Sequence, residues 1–171
     1  SFYAATKKSN EVMAYSYSNI YKLPCTALRF FTVYGEMGRP DMAIYEFSNK
    51  ISNNKPIKLF NKGNHHRDFT YIEDVVTYIS KLISKQSRDI IPFQVFNVGN
   101  GKTRSLMEFI NIIENIFKKR SKFKLLPMQK GDTIKTHASI KKIIDKTHYK
   151  PKTRIEKGIK NYLNWFKSYY N

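Results

Sequence analysis

The sequence predicts an α/β fold on three observations. Segments with apolar residues at helical spacing alternate with short runs rich in β-favouring residues. Gly, Pro and Asn punctuate the chain between them and hold those runs to strand length. A chain of 171 residues, 41% hydrophobic and 15% aromatic, is large and apolar enough for an ordinary domain with a sizeable core.

Residues 4–21 read as a helix whose Val12, Met13, Tyr15, Ser16 and Ile20 form a stripe to bury, and Leu23-Pro24 ends it. Residues 26–31 form a short apolar run, consistent with a buried parallel strand. Gly35, Gly38 and Pro40 make a loop, and helical spacing returns over 42–53 with Ile44, Phe47 and Ile51. A strand over 57–60 follows Pro56, and the polar stretch 61–66 reads as a turn. Asp74 begins a second long helix, suited there to capping and to the helix dipole, with Val75, Val76, Ile79, Leu82 and Ile83 inward. Residues 94–98 form a strand closed by the Gly99-Asn100-Gly101 turn. Ser105 and Glu108 make a capping-box pair before a helix carrying Leu106, Phe109, Ile112, Ile113, Ile116 and Phe117. A strand over 123–126, a loop over 127–136 and short helices near 140–147 and 155–169 complete the chain. There is no internal repeat and no low-complexity linker.

The net charge of +18 calls for an anionic partner, and nucleic acid belongs on that list. Yet the lysines are spread along the chain, the aromatics occupy core positions, and no nucleic-acid-binding motif is present. Nucleic acid is therefore not the expected partner. Cys25 is the sole cysteine, so no intrachain disulfide forms and a cytoplasmic, reducing setting suits the chain. No apolar run reaches membrane-spanning length, and no signal peptide is visible.

Tyr3 and Lys7 lie four apart, on one face of the first helix. A tyrosine is a poor base at neutral pH; a neighbouring ammonium favours its phenolate and makes it usable. Alone, this spacing is a weak pattern. It is followed in order by Leu28-Arg29-Phe30-Phe31-Thr32-Val33-Tyr34-Gly35, Gly38-Arg39-Pro40-Asp41-Met42-Ala43, Arg67-Asp68-Phe69-Thr70-Tyr71-Ile72-Glu73-Asp74 and Phe96-Asn97-Val98-Gly99. The ordered set resembles the extended short-chain dehydrogenase/reductases that epimerise nucleotide sugars, most of all UDP-glucuronate 4-epimerases, and it covers their C-terminal half.

The resemblance implies the C-terminal part of an extended Rossmann-type epimerase with a small mixed α/β substrate domain. Residues 1–33 would be the tail of the dinucleotide-binding domain and 34–171 mainly the substrate domain, with 67–84 packing back on the first. It implies NAD as cofactor, a UDP-sugar as substrate, and a homodimer when intact. Tyr3 would be the base and Lys7 its partner, both touching the cofactor. Thr32 and Arg39 would meet the sugar carboxylate, Arg67 the diphosphate, and Asp132 the uridine ribose, although Lys130 stands where the family has Pro. Asp68 would fix a loop or Arg67. The family's upstream Ser or Thr and its glycine-rich phosphate turn have no counterpart between Ser1 and Asn171. The expectation is therefore a fragment, inactive by itself, with the stripe of its first helix exposed. The alternatives are another nucleotide-sugar epimerase, a 4,6-dehydratase or, from another class, a basic nucleic-acid-binding module. His65 and His66 have no Cys or acidic partner at metal-ligand spacing, so they read as loop residues and no metal is expected.

Overall fold

A computed structural model describes residues 1–170. Helices and strands alternate as α1 (Phe2–Tyr21), β1 (Cys25–Phe30), β2 (Thr32–Tyr34), α2 (Ala43–Ser52), β3 (Ile57–Phe60), β4 (His66–Tyr71), α3 (Ile72–Ile83), β5 (Phe93–Val98), β6 (Thr103–Ser105), α4 (Leu106–Phe117), β7 (Phe123–Leu126), α5 (Lys141–Thr147) and α6 (Ile155–Tyr170). The α/β class is as predicted.

Parallel pairing dominates. β1 runs parallel to β5 with Leu28 opposite Phe96, β2 parallel to β4 with Val33 opposite Thr70, and β3 parallel to β7. Among the described residues only β6 is antiparallel, placing Arg104 opposite Arg67 on β4. Two cores result. The larger joins Tyr34, Phe47, Ile57, Phe69, Tyr71, Phe109, Ile113 and Leu163, so α2, α4 and α6 pack over β2, β3 and β4. The smaller joins Val75, Tyr78, Leu82, Phe96, Val98 and Ile143, with Leu28 and Val33 against it. α3, β5 and α5 thus gather around β1. Among the described residues no helix is long and apolar enough to cross a membrane.

Three strands depart from the sequence reading. β2 lies in the stretch leading into the expected glycine loop, and β6 runs into the expected cap. β4 begins at His66, inside the expected polar turn. Its His66, Arg67 and Asp68 carry none of the apolar signal of a strand; their polar groups are satisfied by residues far away in the chain. Asp74 does not cap α3: the helix begins at Ile72, with Tyr71 before it and no side-chain cap. Its carboxylate instead accepts from the Tyr149 hydroxyl at 2.5 Å and the N–H groups of Lys152 and Thr153 at 3.1 and 3.2 Å. Ser105 does cap α4, accepting from Met107 N–H at 3.1 Å. Glu108, however, pairs with Arg104 at 2.9 Å instead of completing the capping box.

α1 is held by an ion-pair cluster with β1 and by Tyr15, whose ring meets Phe93 of β5 edge-on at 5.5 Å. Glu11 accepts from Arg29 of β1 through both oxygens, at 2.5 and 2.7 Å, and from Lys8 at 2.8 Å. The Arg29 guanidinium, then Lys8, hold the Glu11 carboxyl down at about 2. Most of the expected stripe of this helix remains uncovered, with Val12, Met13 and Ile20 exposed and Tyr15 covered in part by Phe93.

Candidate active site

α1 starts on Ser1, whose hydroxyl accepts from Ala4 N–H at 3.3 Å. This first turn carries Tyr3, which is 70% exposed. One turn on, the Lys7 ammonium lies over the Tyr3 ring, 5.3 Å from its centroid. The helical period thus delivers the pair to one face. The turn also adjoins a loop from the other end of the chain: a Cβ built on Gly131 would sit 3.9 Å from Ser1 Cβ.

The next residue of that loop, Asp132, lines a cleft of about 250 Å³ with Thr32, Lys58, His65, Arg67 and Phe69. Arg67 organises the cleft's polar side. One guanidinium nitrogen donates to Asp132 at 2.9 Å. The other donates to the carbonyls of His66 and Ile134, each at 3.1 Å. The planar fork therefore ties β4 to the 131–136 loop, a geometry an ammonium cannot copy. His66 N–H also donates to the Ile134 carbonyl at 2.8 Å, and Thr136 N–H returns a bond to His66 at 3.1 Å.

The structure brings Thr32, Arg67 and Asp132 into one cleft but leaves Arg39 outside its lining. Arg39, with its side chain 76% exposed, pairs with Asp41 at 3.3 Å; Asp41 is the one that lines the cleft. His65 and His66 are not free loop residues. His66 opens β4, and His65 is 4% exposed with Nε2 3.1 Å from the second Asp132 oxygen, outside hydrogen-bonding alignment. Sequence spacing had no means of finding that neighbour, because the two residues meet only through β4 and the distant loop. A second unforeseen arrangement joins Tyr71 to Glu36 at 2.9 Å and to Asn161 at 3.3 Å. Burial, with Glu36 adding to it, pushes the Tyr71 phenol up to about 12, so it stays a neutral donor.

A dinucleotide needs backbone N–H groups free to meet its phosphates. The Gly99-Asn100-Gly101 turn after β5 does not offer them. Asn100 and Gly101 donate their N–H groups to Asp68 at 2.7 and 3.0 Å. The space a Gly99 Cβ would take is filled by Ala138 and Asp68. Asp68 also accepts from Ala138 N–H at 3.0 Å and the Thr70 hydroxyl at 3.3 Å, so it fixes a loop and not Arg67.

Residues 1–99 match the NAD dependent epimerase/dehydratase family. The chain is 48% identical over 166 residues to an uncharacterised protein of Methanocaldococcus jannaschii, across 97% of this chain and 50% of that one. It is 40% identical over 183 residues to a probable UDP-glucuronate 4-epimerase of Rhizobium meliloti, across 98% of this chain and 54% of the other. Among solved structures, the UDP-glucuronic acid 4-epimerase of Bacillus cereus, in complex with UDP-glucuronic acid and NAD, matches with a TM-score of 0.90 at 30% identity. That match covers 97% of this chain and 52% of the other. The chain spans about half the length of the relatives it matches. The match over residues 1–99 takes in more than half of the 171 residues, and the chain accordingly belongs to the NAD dependent epimerase/dehydratase family.

Proposed function

We propose that this chain supplies the base and the nucleotide-sugar subsite of an NAD-dependent UDP-sugar 4-epimerase that interconverts UDP-glucuronate and UDP-galacturonate. The observation that carries the reading is the convergence of Thr32, Arg67 and Asp132 in one cleft, beside the turn that presents Tyr3 and Lys7. The relatives named as, or solved as, UDP-glucuronate 4-epimerases supply the sugar.

In this reading residues 1–33 are the tail of a dinucleotide-binding unit and 34–171 mainly the substrate unit. The 67–84 segment packs back on the first, and the pairing of β1 with β5 extends that crossing to Phe93–Val98. Tyr3 takes the proton of the sugar 4-hydroxyl, and Lys7 steadies the phenolate and holds ribose hydroxyls. When bound, NAD would supply the hydride acceptor at C4, and the 4-keto sugar would turn in the cleft so that the hydride comes back to its other face. Arg67 holds the diphosphate and Asp132 the uridine ribose. The cleft's 250 Å³ lies below the roughly 300–1,000 Å³ of small-molecule pockets, so it holds only part of a nucleotide sugar. Oxidation at C4 turns a uronate into a β-keto acid. Thr32, and Arg39 once it exchanges Asp41 for substrate, hold the carboxylate so that its bond to C5 stays out of overlap with the ketone and carbon dioxide is not lost.

Calorimetric titration of this chain with UDP-glucuronate and with NAD tests its half of the site. Weak UDP-sugar binding without micromolar NAD binding is expected, because the glycine turn after β5 has its N–H groups taken by Asp68. Micromolar NAD binding, or UDP-galacturonate formed by this chain alone, would overturn that reading. In an assembled enzyme, Tyr3→Phe should lower turnover roughly a hundred- to ten-thousand-fold with sugar binding kept. Near-normal turnover would remove Tyr3 from its role.

A further inference from the structure

A second cleft, of about 380 Å³, shares only Phe69 with the first. Its two walls come from distant segments. Asn100, Lys102 and Arg104 form one, and the stretch from Lys150 into the first turn of α6 forms the other. Five cations line it, Lys102, Arg104, Lys150, Lys152 and Arg154, against the one carboxylate of Glu156. Arg104 is paired with Glu108. The other four make no ion pair among the described residues.

Surface lysines usually spread apart into water. Here both walls are tied down by buried carboxylates. Asp68 accepts from the N–H groups of Asn100 and Gly101, at 2.7 and 3.0 Å, at the root of the first wall. Asp74 accepts from Tyr149 and from the N–H groups of Lys152 and Thr153, at 2.5, 3.1 and 3.2 Å, along the second. The positive end of α6, a helix from Ile155 to Tyr170, opens on the same space. Gly158 lets that helix close on the ring of Tyr34, which a Cβ would strike. Like charges held together on rigid walls repel, which costs stability unless a counter-charge arrives.

We propose that this cleft binds a small anion carrying two or more phosphate groups, at a site separate from the Arg67–Asp132 cleft. Each phosphate brings about −1.5 to −2 charges and several acceptor oxygens, which suits a net excess of cations better than a single carboxylate does. The enclosed volume suits a small molecule and not a polymer strand.

The test titrates inorganic diphosphate into the full chain at about 0.1 M salt, where charges beyond roughly 10 Å are screened. The double variant Lys152→Ala, Arg154→Ala should weaken binding about tenfold or more, and Lys102→Gln should weaken it from the opposite wall. Lys160→Ala, on the exposed side of α6, should change it less than about twofold. The wall variants should melt at the same or a higher temperature without ligand, because they relieve repulsion. Three outcomes would overturn the proposal: no diphosphate binding, an equal loss in Lys160→Ala, or a loss confined to Arg67→Ala. Tighter binding of a single-stranded oligonucleotide than of diphosphate would also overturn it, in favour of a nucleic-acid surface. If the double variant fails to fold, Lys102→Gln decides alone.

Discussion

Replacing Asp68 by Ala should be among the most damaging single changes in this chain. The residue is fully buried, and its two oxygens accept four hydrogen bonds. Three of the donors are backbone N–H groups, of Asn100, Gly101 and Ala138, at 2.7, 3.0 and 3.0 Å. Each buried donor left without an acceptor costs about 1–3 kcal/mol, so Asp68→Ala should cost about 3–9 kcal/mol. A domain of this size has about 5–15 kcal/mol in total, and the variant should be largely unfolded or close to it. Asp68→Asn keeps one oxygen. With its NH₂ on the side of Thr70 and Asn100, the amide leaves one N–H group without an acceptor, while the Thr70 hydroxyl can rotate to accept, at about 1–3 kcal/mol. Urea unfolding followed by circular dichroism measures both, and the midpoint should fall with an unchanged slope. Asp68→Asn should also weaken diphosphate binding, because the Asn100–Arg104 wall loses its anchor. A cost below about 1 kcal/mol for Asp68→Ala would refute the reasoning, since the three N–H groups would then have another acceptor.

In an assembled enzyme, Thr32→Val and Arg39→Lys should each impair use of a uronate more than of the neutral UDP-hexose. They remove a hydroxyl and a two-pronged cation, and equal losses for both sugars would take these positions out of carboxylate recognition. Glu11, held at about 2 when folded against an ordinary value of 4.5, contributes stability that is full above 4.5 and fades as the pH falls towards 2. Between pH 5 and 2 the melting temperature should therefore fall more steeply in the parent than in Glu11→Gln; parallel curves would show that the Arg29 contact does nothing for folding. Gly158→Ala should destabilise by up to about 2 kcal/mol in urea unfolding. The clash with Tyr34 costs about 1–3 kcal/mol and the gain in helix propensity offsets up to about 1. Stabilisation would mean that Tyr34 yields readily.

The alternation of elements and the Tyr3–Lys7 face were legible because each depends on neighbours in the chain. Apolar spacing marks a helix, Pro24 and the Gly99–Gly101 turn end segments, and a separation of four puts two side chains one turn apart whatever the fold does. The ordered motifs extended this to the family, and Thr32, Arg67 and Asp132, which the motifs singled out, line one cleft. β4 escaped because its opening residues are polar, and Asp74 was misread because its position at a helix start has a local explanation. What their side chains do is decided elsewhere: Arg67 finds Asp132, Asp68 finds Asn100 and Ala138, and Asp74 finds Tyr149 and Lys152. These partners lie tens of residues away along the chain, brought close by the parallel pairing of β2 with β4 and by the packing of α3 and α5 on β5. The basic cleft belongs to the same kind. Its lysines are scattered in the sequence, and only the two buried carboxylates, by tying down two separate loops, turn a diffuse positive charge into a site. Local spacing specifies which face a side chain takes on its own element. Which distant group meets it there follows from register and packing, and no local pattern encodes those.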